Sequence, residues 1–247
     1  MNTSVQTIEL SSLAIAFVPV FLVVFIIYKW TLDYRSPLLA VSRMLVQLLI
    51  IGYFLAYLFE SDSALLVVAV LMIMVLASSW IALRTVAQYR KRLFLKALVS
   101  IGIGGGSQLV LITAGVLKLD PWYLPQYVIP LAGMIFANSM NSVSLCAERL
   151  GAELGHEHDY VKARSTSFRA SLIPMINSLF AVGLVSLPGM MTGQILSGIS
   201  PLIAARYQIM VMCMLFASAG FSSACFLIMA RNEFVEKAKI SGDTSNT

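Results

Sequence analysis

The chain has 247 residues, 59% of them hydrophobic and 12% charged, with a formal net charge of +5. A water-soluble domain carries about a quarter of its residues charged, so the composition excludes an ordinary soluble enzyme and points to lipid. The positive balance does not describe a nucleic-acid surface, because the basic residues stand in short connections between apolar blocks.

The blocks are continuous. A spanning helix needs about 20 mostly apolar residues, because a helix satisfies its own backbone in lipid. Barrel strands would instead alternate over about 10 residues. The pattern predicts an all-α, polytopic membrane protein with seven transmembrane helices, near 12–30, 38–59, 64–83, 95–117, 125–146, 171–191 and 207–230. These form a single transmembrane domain over 1–247, with an internal loop at about 147–170 and a tail at about 231–247. No basic stretch precedes the first block, so a cleaved signal peptide is not expected.

In the second span Arg43 and Gln47 stand four residues apart and share a helix face. A charge in a span is a functional candidate, but Arg43 is near the end of its block and long enough to snorkel. The fourth span holds Gly102-Ile103-Gly104-Gly105-Gly106, read as close helix packing or a gating point. The fifth carries Asn138 and Asn141 beside Met134 and Met140; the sixth carries Asn177, with Gln194 just beyond. Amides in lipid need partners, so these residues are either interhelical glue or the lining of a translocation path. Thioethers and amide oxygens are weak, exchangeable ligands, which suits passage of a soft metal ion better than storage. Pro188 and Gly189 predict a break in the outer half of the sixth span, of a kind transporters use at their sites.

His156-Glu157-His158-Asp159 suggests a metal site, but histidines two apart point to different sides of a helix, and a solvated helix accounts for them. No metal ligand set is firmly assigned. Cys146, Cys213 and Cys225 show neither metal nor disulfide spacing and read as packing residues. No GxxxxGK[ST] loop is present, so the chain lacks that route to nucleotide. No nucleophile or acid pair suggests an intramembrane enzyme.

Lys and Arg crowd the first, third and fifth connections and the tail, while Lys118 and Arg206 stand on the other side. Basic loops stay in the cytoplasm, which places the N-terminus outside and the C-terminus inside. The expected location is the cell membrane (the inner membrane of a bacterium), with lipid as the surrounding partner.

The segments VIPLAGMIFANSMNSVSL (128–145), SLIPMINSLFAVGLVSLPGMMTGQILSG (171–198) and SPLIAARYQIMVM (200–212), with RMLVQLLIIGYFL (43–55), resemble the FetB/YbbM family of ABC-type permeases. That family is linked in bacteria to iron export and in plants to aluminium tolerance. The resemblance implies a permease subunit, not an enzyme. It binds no cofactor itself, works as a homodimer, and is served by a separate cytoplasmic P-loop ATPase that holds the ATP. It also implies that the internal loop contacts that ATPase, with Glu148, Arg149, Glu153, Arg164 and Arg169 as candidates. The family's loop usually carries a segment like LxLGATPxQA; about fifteen residues of that pattern are missing here. A non-transporting paralogue with a shortened coupling loop is the alternative.

Overall fold

The computed structural model describes residues 9–60, 63–156 and 159–243. Their regular structure is helical, with no strand among the described residues and one isolated bridge between Val182 and Ser186. The chain divides into two compact units, Met1–Ser61 and Asp62–Thr247.

The first unit contains α1 (Leu10–Ile15), α2 (Phe17–Lys29) and α3 (Arg35–Phe59). Pro19 stands in the first turn of α2, where its missing N–H takes nothing from the helix. Before α3, the Asp33 carboxylate accepts from the Arg35 N–H at 3.1 Å.

The second unit contains α4 (Ala64–Ala82), α5 (Arg90–Val110), α6 (Pro125–His156), α7 (Tyr160–Ala181), α8 (Gly189–Leu196) and α9 (Pro201–Asp243). Ser63 caps α4 by accepting from the Leu66 N–H, and Asp159 caps α7 by accepting from the Val161 N–H. A 3₁₀ turn, Ala87–Tyr89, leads into α5, which passes at its far end into a π-helical stretch, Leu111–Val116.

The core is built around α9, which packs against α5, α6, α7 and α8. Lipid gives helices little hydrophobic reason to associate, so the contacts rely on small residues and interhelical hydrogen bonds. Buried serines line them: Ser100, Ser139, Ser142, Ser167, Ser171, Ser218, Ser222 and Ser223. Several return their hydroxyl to the preceding turn, as Ser100 does to the Lys96 carbonyl at 2.7 Å and Ser167 to that of Ala163 at 2.6 Å. The glycine run of α5 does the same work without side chains. A methyl group on Gly104 would lie 2.5 Å from Ser222 Oγ and 2.6 Å from the Ser222 backbone nitrogen. On Gly105 it would lie 2.9 Å from the Ile135 side chain. Gly104 therefore admits α9 and Gly105 admits α6, which is the packing role read from the sequence.

Among the described residues, six helical segments are long and apolar enough to cross a membrane: Ser11–Lys29, Arg35–Phe59, Ala64–Ala82, Ala87–Val116, Pro125–Leu154 and Pro201–Phe234. The predicted sixth span, 171–191, is not one continuous helix. Its helix starts earlier, at Tyr160, and ends at Ala181. Val182 turns to an extended conformation, Gly183 takes φ +83°, and a new helix starts at Gly189 with Pro188 as its N-cap residue. The first half of α7 carries Lys162, Arg164 and Arg169, which leaves its apolar part too short to reach across about 30 Å of hydrocarbon alone.

The loop expected at about 147–170 is also revised. α6 runs unbroken to His156 and α7 begins at Tyr160, so the region is a helical hairpin. At 32 residues α6 is about 48 Å long, well beyond the hydrocarbon thickness. The predicted tail likewise continues α9 as far as Asp243.

Replacing Gly104 by alanine should destabilise the protein by about 1–3 kcal/mol through overpacking against α9. Gly106→Ala, whose methyl group meets nothing within 4 Å, should be neutral or slightly stabilising. Thermal melts of the two variants in detergent check this, and equal melting temperatures would refute the close approach.

Candidate functional site

The amides proposed to line a path lie in different surroundings. Asn138 is half-buried in α6, and its Nδ2 donates to the Leu215 carbonyl of α9 at 2.6 Å and to Ser218 Oγ at 3.4 Å. Beside it, Ser139 Oγ donates to the Ser218 carbonyl at 3.4 Å. Met134 and Met140 are half-buried, whereas Asn141 is exposed. Met134, Asn138 and Asn141 follow at helical spacing and share a side of α6.

On α7 the buried residues Tyr160, Ala163, Ser167, Ser171 and Met175 recur every three or four positions, and Asn177 lies past the end of that stripe, exposed. In α8, Gln194 is half-buried with Oε1 enclosed and unpartnered among the described residues. Asn138, Asn141, Asn177 and Gln194 do not bond one another among the described residues. In the first unit, Arg43 and Gln47 are exposed on α3. Pro188 is half-buried and Gly189 exposed at the start of α8.

The hairpin end of the second unit is more tightly organised. Arg90 donates to the Trp80 carbonyl through Nε at 3.0 Å and Nη2 at 2.6 Å, with its guanidinium 3.7 Å over the indole ring. Lys96 of α5 pairs with Glu233 of α9 at 2.9 Å. Tyr160, the first residue of α7, donates its hydroxyl to the Leu227 carbonyl of α9. Burial pushes the Tyr160 phenol above its ordinary pKa, against the opposing pull of the Arg164 and Arg231 guanidiniums. The hairpin is thereby tied to α9 at the turn where α7 begins.

The residues expected to meet an ATPase sit on this hairpin. Glu148 and Arg149 are exposed on α6, where Arg149 pairs with Glu153 at 2.5 Å, and Arg164 and Arg169 are exposed on α7. Of the His156–Asp159 motif, the His156 side chain, Glu157 and His158 lie outside the described residues; Asp159 serves as the α7 cap. No group of three or more His, Cys, Asp or Glu able to hold a metal ion occurs among the described residues. Cys146 is buried, Cys225 half-buried and Cys213 exposed.

Sequence reading missed Ser218, the Lys96–Glu233 pair and Tyr160. Ser218 and Ser222 stand four apart in an apolar span, and Lys96 and Glu233 are opposite charges at the ends of two spans. Those were the available signals.

The fold and its apolar helices define a multi-pass helical membrane protein. The chain belongs to the uncharacterised protein family UPF0014, whose profile matches residues 10–235. It is 36% identical over 235 residues to the probable iron export permease protein FetB of Escherichia coli, covering 87% of this chain and 89% of that one. It is also 36% identical to the UPF0014 membrane protein slr1647 of Synechocystis, over 74% of this chain and 76% of that one. Protein ALUMINUM SENSITIVE 3 of Arabidopsis thaliana is 28% identical over 91% of this chain and 87% of its own length. The relatedness expected from the segments at 43–55, 128–145, 171–198 and 200–212 is thus shown across nearly the whole chain. No solved structure matches the chain.

Asn138→Ala removes two interhelical hydrogen bonds and should cost about 1 kcal/mol, while the exposed Asn141→Ala should stay within about 0.5 kcal/mol of the parent. Unfolding titrations in mixed detergent micelles measure both; equal losses would contradict the assignment of Asn138 to the α6–α9 contact.

Proposed function

We propose that the chain is the membrane-spanning permease subunit of an ABC-type transporter that exports metal ions, iron foremost, with ATP hydrolysis on a separate cytoplasmic subunit. The observation that carries this reading is the 36% identity, over nearly the full length, to a protein named a probable iron export permease. The sequence offers no P-loop of its own, which fits a permease that borrows its ATPase and is not itself an enzyme. The reading includes a permease homodimer with two ATPases.

In this reading the chain crosses the membrane seven times, with the N-terminus outside and the C-terminus in the cytoplasm, as the basic connections favour. The apolar half of α7, the non-helical residues 182–188 and α8 together make the crossing that no single helix supplies. The hairpin of α6 and α7 then faces the cytoplasm and offers Glu148, Arg149, Glu153, Arg164 and Arg169 to the ATPase. Because Tyr160 fastens α7 to α9, a push on the hairpin is carried into the helix that also holds Asn138. The path for the ion is lined by Asn138, Asn141, Asn177 and Gln194, with Met134 and Met140 beside them; Arg43 and Gln47 stay candidates by their place in an apolar span of the first unit. Unfilled amide positions such as the enclosed Gln194 Oε1 suit a weak, exchangeable ligand. Pro188 and Gly189 close the break at which such a site stands.

The missing loop segment favours one competing reading, a non-transporting paralogue that keeps the fold without coupling. Two measurements separate the readings. Tagged protein in mild detergent should retain a P-loop ATPase, and Arg149→Glu/Arg169→Glu should lose most of it. A strain lacking the gene should accumulate metal, corrected by the parent and not by Asn177→Ala/Gln194→Ala at equal membrane abundance. Retention of no ATPase, with metal levels unmoved by the deletion, would favour the paralogue.

A further inference from the structure

The outward face of α9 between α5 and α7 has a feature that the transport reading touches only through Arg164. Two apolar grooves flank a ridge formed by Ala224 and Ile228. One, of about 290 Å³, lies between α7 and α9 and is lined by Arg164, Ser165, Phe168 and Leu227 with the ridge. The other, of about 420 Å³, lies between α5 and α9 beside Ile103, Gly104, Phe221 and Cys225. Gly104, where α5 comes closest to α9, forms part of its lining. Both lie within the apolar segment Pro201–Phe234, toward its C-terminal end.

That end carries uncompensated charge. Arg231 stands one helical turn beyond Leu227, with its guanidinium 5.9 Å from the centre of the Tyr160 ring. Arg164 acts on the same tyrosine from α7. Neither arginine forms an ion pair among the described residues, whereas Lys96 and Arg149 nearby are each paired with a glutamate. Arg164 thus lines the first groove, and Arg231 follows Ala224 and Ile228 at helical spacing toward the end of the apolar span, where it meets the headgroups.

We propose that this face is a binding site for one anionic phospholipid, its phosphate held by Arg164 and Arg231 and its two acyl chains lying on either side of the Ala224–Ile228 ridge. Guanidinium forks bind phosphate oxygens through paired, charge-assisted hydrogen bonds, and basic sites between membrane helices select anionic headgroups. Charge complementarity favours lipid over a second copy of the chain. A twofold contact through this face would place the same unpaired guanidiniums of both copies in one interface. The proposal goes beyond the transport reading and requires no ATPase.

The test uses the full chain, without any partner, in nanodiscs of equal phosphatidylglycerol and phosphatidylethanolamine, with retained lipid read by native mass spectrometry. The parent should retain phosphatidylglycerol about tenfold over phosphatidylethanolamine. Arg164→Gln/Arg231→Gln should abolish that preference, and Arg149→Gln should keep it. A second measurement leaves both arginines in place. In a Cys213→Ser background, maleimide labelling of Cys225 should slow several-fold in phosphatidylglycerol but not in phosphatidylethanolamine. Equal retention of the two lipids, a preference indifferent to the double substitution, or Cys225 labelling blind to lipid charge would overturn the proposal. So would disulfide cross-linking between copies through Ile228→Cys in native membranes, which would assign the face to a second chain.

Discussion

At Gly104 the backbone of α5 lies so near α9 that a single methyl group would meet the Ser222 main chain. The rest of the second unit depends on approaches of this kind. In water, burial of apolar surface alone would drive helices together; in lipid, the tails are as apolar as the side chains, and association needs short distances and hydrogen bonds. α9 supplies both along one stretch. Leu215 and Ser218 receive Asn138 of α6, Ser222 admits Gly104 of α5, Leu227 receives Tyr160 of α7, and Glu233 pairs with Lys96 of α5.

This arrangement gives the unit a tight end and a loose one. Near the turn where α7 begins, a helix cap steadies α7, and a tyrosine–carbonyl bond, an ion pair and a stacked arginine hold four helices, α4, α5, α7 and α9, together. At the other end, the buried stripe of α7 stops at Met175, and Phe180, Leu184 and Val185 stand exposed around the break. Asn177 and Gln194 lie at this loose end, and the hairpin lies at the tight one. A machine that receives force at one place and yields at another needs that polarity, because small shifts are transmitted by packed contacts and absorbed where packing is thin.

The spans were legible in the sequence because an apolar run of about 20 residues has few other physical explanations. Helix ends were not legible to the same degree. α6 continues through Glu148–Glu153 and α9 through Glu233, since leaving lipid does not oblige a helix to stop. The sixth span showed its irregularity through Pro188 and Gly189, yet the interruption covers 182–188, with Pro188 starting the next helix. Proline suits a helix start as readily as it spoils an interior. The partner of Asn138 was beyond sequence reasoning, because it is a backbone carbonyl 77 positions away and every residue has one. Lys96 and Glu233, 137 positions apart, were visible only as separate loop and tail charges.

Asn138 was read from the sequence as either structural glue or part of a path, and its geometry shows the first. Its amide nitrogen holds α6 to α9, so it is glue in this conformation. A membrane interhelical hydrogen bond is worth only about 1 kcal/mol, less than the free energy available from binding almost any ligand. A contact of that size fixes a resting arrangement without locking it. In the proposed transport cycle, a movement of α9 relative to α6 would part the amide from its carbonyl and leave it free to meet water or an ion. A weak interhelical bond of this kind is therefore compatible with the path role proposed for Asn138, because parting the two helices there costs little.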